Sequence, residues 1–586
     1  MNEPVYSKEK IAGFEGIFDS YSNLVKATNL DSDGNPCYSS EKIAGWESDF
    51  DTLGNLVEIK YFGADYNPCY DKDAVAGWKS IFERGNEIQS ISLDVNGIPC
   101  FSSSGIAGWK SEFDERGNEI MRTYIDINGN PCLHTEKNAG WKNYYDERGN
   151  QIKRTFFNEY QNPCLIIYKY AGWNSEYDAY GNEIKMTYID EHDEPCYSDE
   201  RIAGWQSKYD ERGNEIENFY IGIDGKPCFS STHIAGWQST YDERGNEIAR
   251  TYIGIDGKPC LHKDNNAGWR SQYDIRGNLI ERSFVDIDGK LCLIDDEYAG
   301  WIAEYNAHDN EVKKSFFNEH RKPCARKDGV STIINEYDDR GNNIKETYYD
   351  INGKPCSNAE GYAGAESIVD ARGNQIKFTY LGVDNKPCLN KSQEIASANF
   401  EYDERDRIIK VSFFGTDSLP CLSTENIAGW RSTFDEHGNE IERVFLDTDG
   451  HPCVGINNIA GWSSEFDESG SEIKRMFLNT NGEPGMSSDN YAGWMKTFDE
   501  RGNVRQEIFL GLDGKPTAIF LGYFTGLEYV YDKKDTAVRG YFLEKDGQRT
   551  ERAHIKYVND KFGNLIETQY VNAQGEIVGR EPAPEE

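Results

Sequence analysis

No apolar run in this chain approaches the 18 or so residues that a membrane-spanning helix needs, and no stretch carries a helical 3.6-residue apolar period. Cys-x-x-Cys, Gly-x-Ser-x-Gly, the P-loop and His-Glu-x-x-His are all missing, and with them the common signatures of zinc binding, nucleophilic catalysis and phosphate binding. The nine histidines share no common position. Basic residues are few, 63 against 101 acidic ones, for a net charge of −38. A field of that sign repels nucleic acid and anionic lipid, which argues against both and favours cationic partners. The sequence therefore predicts a chain that is not an enzyme, binds no cofactor or metal and does not insert into a membrane.

What the chain does have is a period. Its 14 cysteines run from Cys37 to Cys453 in steps of 32 residues, apart from one step of 31 after Cys69 and one of 33 after Cys388. All but Cys292 follow a proline, and all 12 tryptophans, Trp46 to Trp494, sit in Ala-Gly-Trp on the same step. Self-similarity at 20 to 50 residues marks a solenoid, propeller or array and outranks any local motif. Sixteen Ala-Gly anchor positions can be aligned, and repeats are numbered here by these, from repeat 1 at Ala12 to repeat 16 at Ala492. Around 330–400 the pattern degenerates: Gly329-Val330-Ser331 replaces the anchor of repeat 11, Ala365 replaces the tryptophan of repeat 12, and Ala396-Ser397 lacks both glycine and tryptophan. That stretch reads as a bend, a partner site or drift.

Within a repeat, for instance Ile106 to Lys137, the apolar period is two. Trp109, Ser111 and Phe113 share one face while Lys110 and Glu112 take the other. Asp114-Glu115-Arg116-Gly117-Asn118 is a tight connection with glycine where a positive φ is needed. A second strand rich in β-branched and aromatic residues follows, then an Asn-Gly or Asp-Gly turn and a Pro-Cys segment that could add a short third strand. The fold class is all-β: an elongated array of about sixteen 32-residue β-hairpin or meander repeats forming a continuous twisted or superhelical sheet. One hairpin buries too little to stand alone, so neighbours must stack. Residues 1–516 form the array, 517–579 read as divergent C-terminal capping β repeats, and 580–586 as a disordered acidic tail. Asn2-Glu3-Pro4-Val5-Tyr6 lines up with mid-repeat residues, so the array starts inside a repeat. The absence of an apolar h-region at the N-terminus, together with unpaired cysteines, favours a cytoplasmic location; an upstream segment with an export signal would make it surface-bound or secreted.

Tyr209-Asp210-Glu211-Arg212-Gly213-Asn214-Glu215-Ile216, echoed at Tyr241 to Ile248 and Phe434 to Ile441, resembles the tyrosine-aspartate (YD) repeat of the bacterial RHS family. The likeness covers about eight residues per repeat. It implies a long β-ribbon, and in that family such ribbons can spiral into a shell around a toxin. The 32-residue step, Ala-Gly-Trp and Pro-Cys depart from the family pattern, and no self-cleaving core motif or toxin-like C-terminal domain is evident. Architecture thus carries over better than delivery.

Three repeated features invite chemistry. The cysteines read as small buried apolar side chains, because equivalent positions about 10 Å apart by strand spacing lie beyond the roughly 7 Å reach of a disulfide. Asp-x-Asp-Gly, as at Asp286 to Gly289, reads as a turn, lacking the further ligands of a calcium loop. The tryptophans read as packing between repeats; as an exposed row they would be a sugar platform, best formed at Trp141, Trp173, Trp205, Trp237 and Trp269. The function predicted is a scaffold binding another macromolecule, a protein, along an extended acidic β surface. The alternatives are a carbohydrate-binding surface protein and a shell or carrier fragment of an RHS-like protein. The loops before each Ala-Gly, such as Ser102-Ser103-Ser104 and His134-Thr135-Glu136, vary most and are the expected place for specificity.

Overall fold

The computed structural model describes residues 11–583 apart from 436, 468–469, 500–502, 520–523, 533–535, 545–546 and 561–563. The aligned Asn2 to Tyr6 segment lies outside the described residues. Among those described there are 37 strands and no helix, each strand running antiparallel to its chain neighbour. The predicted fold class is what is found.

Repeat 4 shows how the residues dictate the unit. Gly108–Phe113 pairs with Glu119–Ile125, setting Trp109 opposite Tyr124 and Ser111 opposite Arg122. Gly117 takes φ +85° in the connection, where its N–H donates to the Asp114 carbonyl. The Asp114 carboxylate accepts the N–H groups of Arg116 and Asn118 and the Asn118 side-chain amide, all at 2.8–2.9 Å. An acid and an asparagine therefore close the turn that the glycine permits. The second turn repeats this device with Asp126. The expected third strand is reduced to a single bridge, Ile125 to Pro131, because proline lacks the N–H that would extend a ladder. Cys132 then donates its N–H to the Tyr124 carbonyl at 3.1 Å.

Neighbouring repeats pair over three residues only, as in Arg122 opposite Trp141. The anchor glycine makes this approach possible: a Cβ on Gly140 would stand 2.0 Å from the Arg122 carbonyl oxygen. The core is thin and lies between the sheet and the returning Pro-Cys loop, where Trp141, Phe156, Cys164 and Ile166 pack together with Tyr170 and Trp173 against them.

The chain divides into two compact bodies, residues 1–408 with 413–419, and residues 409–412 with 420–586. The second holds repeats 14 to 16 and five further strands, Gly526–Tyr531 to Ile577–Pro582. In the stretch expected as a tail from residue 580, Arg580 and Glu581 pair with Gln569 and Thr568 in the last strand. Residues 584–586 lie outside the described residues.

Candidate functional site

The YD-like motif is a set of ties between repeats. The tyrosine hydroxyl donates to a main-chain carbonyl of the preceding repeat: Tyr145 to Glu119, Tyr177 to Gln151, Tyr209 to Glu183, Tyr241 to Glu215, at 2.8–3.0 Å. The turn arginine reaches forward, its Nη1 donating to a carbonyl of the next turn: Arg116 to Glu147, Arg148 to Ala179, Arg244 to Ile275. The loops expected to carry specificity are also laced together, since Thr135 donates its N–H to the Ser104 carbonyl and Ile167 to that of Glu136.

Two rims result. One carries the turn arginines, the other the Pro-Cys segments. Within the first body these rims meet, because the ribbon coils until repeats 11 to 13 reach repeats 1 to 3. Arg340 Nη2 donates to the Tyr38 carbonyl at 2.5 Å and Arg372 Nη2 to the Tyr70 carbonyl at 2.6 Å, both across 302 residues of chain. The Arg372 guanidinium also lies 5.6 Å from the Tyr38 ring centre, and that of Arg405 4.9 Å from Tyr70. Each arginine thus grips one tyrosine backbone while the next stacks on its ring.

A buried ionic knot locks this seam. Asp406 stands where most repeats have the turn glycine, at φ +59°. Its carboxylate pairs with Arg372 at 2.8 Å and with Lys42 at 3.2 Å and accepts the Asn374 amide at 2.6 Å. Lys42 donates in turn to Asn374 Oδ1 at 2.8 Å. A groove of about 460 Å³ opens beside it, lined among others by Tyr38, Asn67, Cys69, Tyr70, Asn96 and Arg372. Burial pushes the Cys69 thiol up to about 11 and the Asp71 carboxyl up to about 6.

The repeats of the degenerate stretch also carry the arginines that reach the array's own beginning. The seam arginines keep the standard motif, so nothing singled them out in the sequence. Asp406 for glycine was the visible signal. The missing tryptophans are replaced by Ile333, Ala365 and Ala398, which face Lys314, Glu346 and Phe378 across the repeat junctions. Nothing in the structure ties that loss to the seam.

The five tryptophans of the expected platform are partly or fully covered. Trp141, Trp237 and Trp269 are buried, and Trp173 and Trp205 half-buried. Guanidinium groups lie over the rings, Arg154 4.4 Å from Trp141 and 5.0 Å from Trp173, Arg250 4.0 Å from Trp237, Arg282 4.1 Å from Trp269. Trp205 instead faces Met186 across the repeat junction. In repeat 4 Arg122 is itself held by Glu119 at 2.7 Å, so one row serves both stacking and charge pairing. All 14 cysteines are free thiols, the first six of them buried. In one Asp-x-Asp-Gly turn the side chains of Asp447, Asp449 and His451 come within 4.8 Å, but Asp447 Oδ1 accepts two main-chain N–H groups there, as a turn requires.

No family model and no curated protein matches the chain. Among solved structures it is similar to TcdB2-TccC3-Cdc42, at 12% identity and a TM-score of 0.41, covering 98% of this chain and 29% of that one. It is likewise similar to TcdB2-TccC3 without its hypervariable C-terminal region, at 12% identity, TM-score 0.33, with 97% and 31% covered. A third is the Tc holotoxin pore of Photorhabdus luminescens, at 12% identity, TM-score 0.29, with 97% and 30% covered. The chain therefore spans about three tenths of those chains' length. By its own geometry it is an all-β tandem-repeat protein.

Proposed function

We propose that this chain is a non-catalytic scaffold that holds a cationic polypeptide along its extended acidic β surface. The observation that carries this reading is the seam: a ribbon whose coils are pinned rim to rim at a 302-residue interval is held as a defined surface. The motif residues that recur, tyrosine, aspartate, arginine, glycine and asparagine, each have a structural task repeated along the array. Many equal weak contacts along such a surface add up through effective concentration. The net charge of −38 selects the sign of the partner and makes binding salt-sensitive.

The test is co-purification of the intact chain with the products of neighbouring genes, followed by a salt titration of any complex. Release of a basic polypeptide as salt rises is the expected result. Retention on insoluble polysaccharide, with a shift in tryptophan fluorescence and no polypeptide partner, overturns the proposal. The seam also favours a second reading, a shell or carrier wall. A closed hollow particle in electron micrographs, protecting a co-expressed polypeptide from protease, would support it over an open surface.

A further inference from the structure

The two rims of the ribbon are covered in some repeats and open in others. Where the seam covers the Pro-Cys rim, the residue after the cysteine is half-buried or buried: Tyr38 is half-buried, Tyr70 6% exposed and Phe101 9%. Farther along the same body the equivalent residues stand open, with Phe229 45%, Leu261 47% and Leu293 41% exposed. Ile223, Ile255 and Ile287, in the turns just before them, are exposed as well. Two apolar rows therefore run along one rim through consecutive repeats, at the place where earlier repeats receive a partner.

The opposite rim is open in a complementary way. Arg148, Arg212 and Arg244 are exposed, with Nη1 committed to the neighbouring turn. Their Nη2 groups have no partner among the described residues, whereas in Arg340 and Arg372 it is Nη2 that crosses the seam. Both rims advance by the same 32-residue step. Any run of turn arginines is therefore commensurate with any run of Pro-Cys segments of matching curvature.

We propose that the open Pro-Cys rim at Phe229, Leu261 and Leu293 docks the turn-arginine rim of a second copy of this chain, extending between molecules the seam already formed within one. The contact is heterologous, since it joins two different rims. Each added copy presents a fresh rim, so assembly is open-ended rather than a twofold dimer. Docking buries the apolar rows and offers the free Nη2 groups main-chain carbonyl acceptors on the Pro-Cys rim, of the kind that Tyr38 and Tyr70 themselves provide. Partner binding on the sheet faces is a separate matter, so this inference stands or falls apart from the scaffold proposal.

The test is sedimentation velocity of the full chain, kept reduced so that thiols cannot cross-link copies, over a wide concentration range. Two triple variants, Phe229→Asp/Leu261→Asp/Leu293→Asp and Arg148→Glu/Arg212→Glu/Arg244→Glu, each block one rim at exposed positions. The native chain is expected to grow progressively with concentration, and each variant alone to lose all species above monomer. Mixed in equal amounts, the two variants should form a one-to-one pair and nothing larger, because each retains one working rim. A native chain that stays monomeric, variants that assemble like it, or a mixture that fails to pair overturns the proposal. If a variant unfolds, cross-linking mass spectrometry on the native assembly takes its place: links between copies from the Arg212 turn to the Leu261 segment are expected, and their absence counts against it.

Discussion

Arg372 donates to the main-chain carbonyl of Tyr70 at 2.6 Å and pairs with Asp406 at 2.8 Å, tying the end of one coil to a residue 302 positions earlier. Its side chain is 17% exposed and that of Asp406 7%, so removing the guanidinium leaves a nearly buried carboxylate with Lys42 as its remaining cation. Truncating one partner of such a pair costs more than the bond was worth, about 2–4 kcal/mol. Arg372→Ala is expected to speed amide exchange around Cys69 to Asp71 while leaving hairpins such as repeat 8 unchanged. Unchanged exchange at the seam would show that the coils do not touch there.

The tyrosine ties are individually modest. Each hydroxyl-to-carbonyl bond should contribute about 0.5–1.5 kcal/mol. Tyr209→Phe, Tyr241→Phe and Tyr273→Phe lie in successive repeats and remove bonds to Glu183, Glu215 and Glu247. Because a linear array adds its interface terms, the triple variant should lose roughly the sum in a denaturant titration. A native-like midpoint would mean that water replaces the bonds at no cost.

Much of this was legible beforehand, for physical reasons. Strand periodicity, turn chemistry and the 32-residue step are local properties, so residues such as Trp109, Gly117 and Asn118 announce their places by themselves. That the cysteine slot is indifferent to sulfur was readable too, since Gly485 occupies it without penalty to the pattern, but only the first six cysteines are buried. The seam was not, because Arg340 and Arg372 obey the same motif as arginines that touch nothing beyond the next turn. Which copies meet depends on how many repeats complete a coil, and that sums small twists no single repeat displays. Nor does the motif itself show that the tyrosine hydroxyl reaches a carbonyl of the preceding repeat.

Glycine at the anchor and glycine at the turn should respond differently to alanine. At Gly204 a Cβ would meet the Met186 carbonyl oxygen at 2.0 Å, which only backbone separation can relieve. At Gly213 the nearest atom is Asn182 Oδ1 at 3.9 Å and the penalty is the φ of +83° alone. Gly213→Ala should therefore cost about 1 kcal/mol, and Gly204→Ala roughly 3–5 kcal/mol. Equal midpoints in denaturant would contradict the close approach.

Acid should act on the array in two opposite senses. The Asn214 side-chain amide, with backbone N–H groups, holds the Asp210 carboxyl below its ordinary value, and Asn246 does the same for Asp242. A depressed carboxylate contributes stability that is full above the unfolded value near 3.9 and is lost as pH falls through the folded one. Repeated turns should thus make acid unfolding steep, and Asn214→Ala with Asn246→Ala should flatten it. Asp71 runs the other way: burial raises it to about 6, so its contribution is full below about 3.9 and is lost as pH rises through about 6. Asp71→Asn should gain about 1–2 kcal/mol at neutral pH and little at pH 4, measured as a shift in thermal midpoint.

The thiols offer the most direct reading of the seam. Burial pushes Cys69 and Cys100 up to about 11 and Cys132 to about 12, so at pH 8 only about one thiol in a thousand is ionised at the first two. An ordinary thiol would be roughly a quarter ionised. Residue-resolved iodoacetamide labelling should therefore be slow at these positions in the folded chain and fast in denaturant. Arg372→Ala exerts two influences on Cys69. It removes a nearby positive charge that lowers the thiol's pKa, which slows the reaction, and it uncovers the segment, which relieves the larger effect of burial. Uncovering should win, so Cys69 is expected to label faster in the variant while Cys164, outside the seam, keeps its native rate. A Cys69 that reacts no faster once Arg372 is gone would place its protection in the repeat itself rather than in the overlying coil.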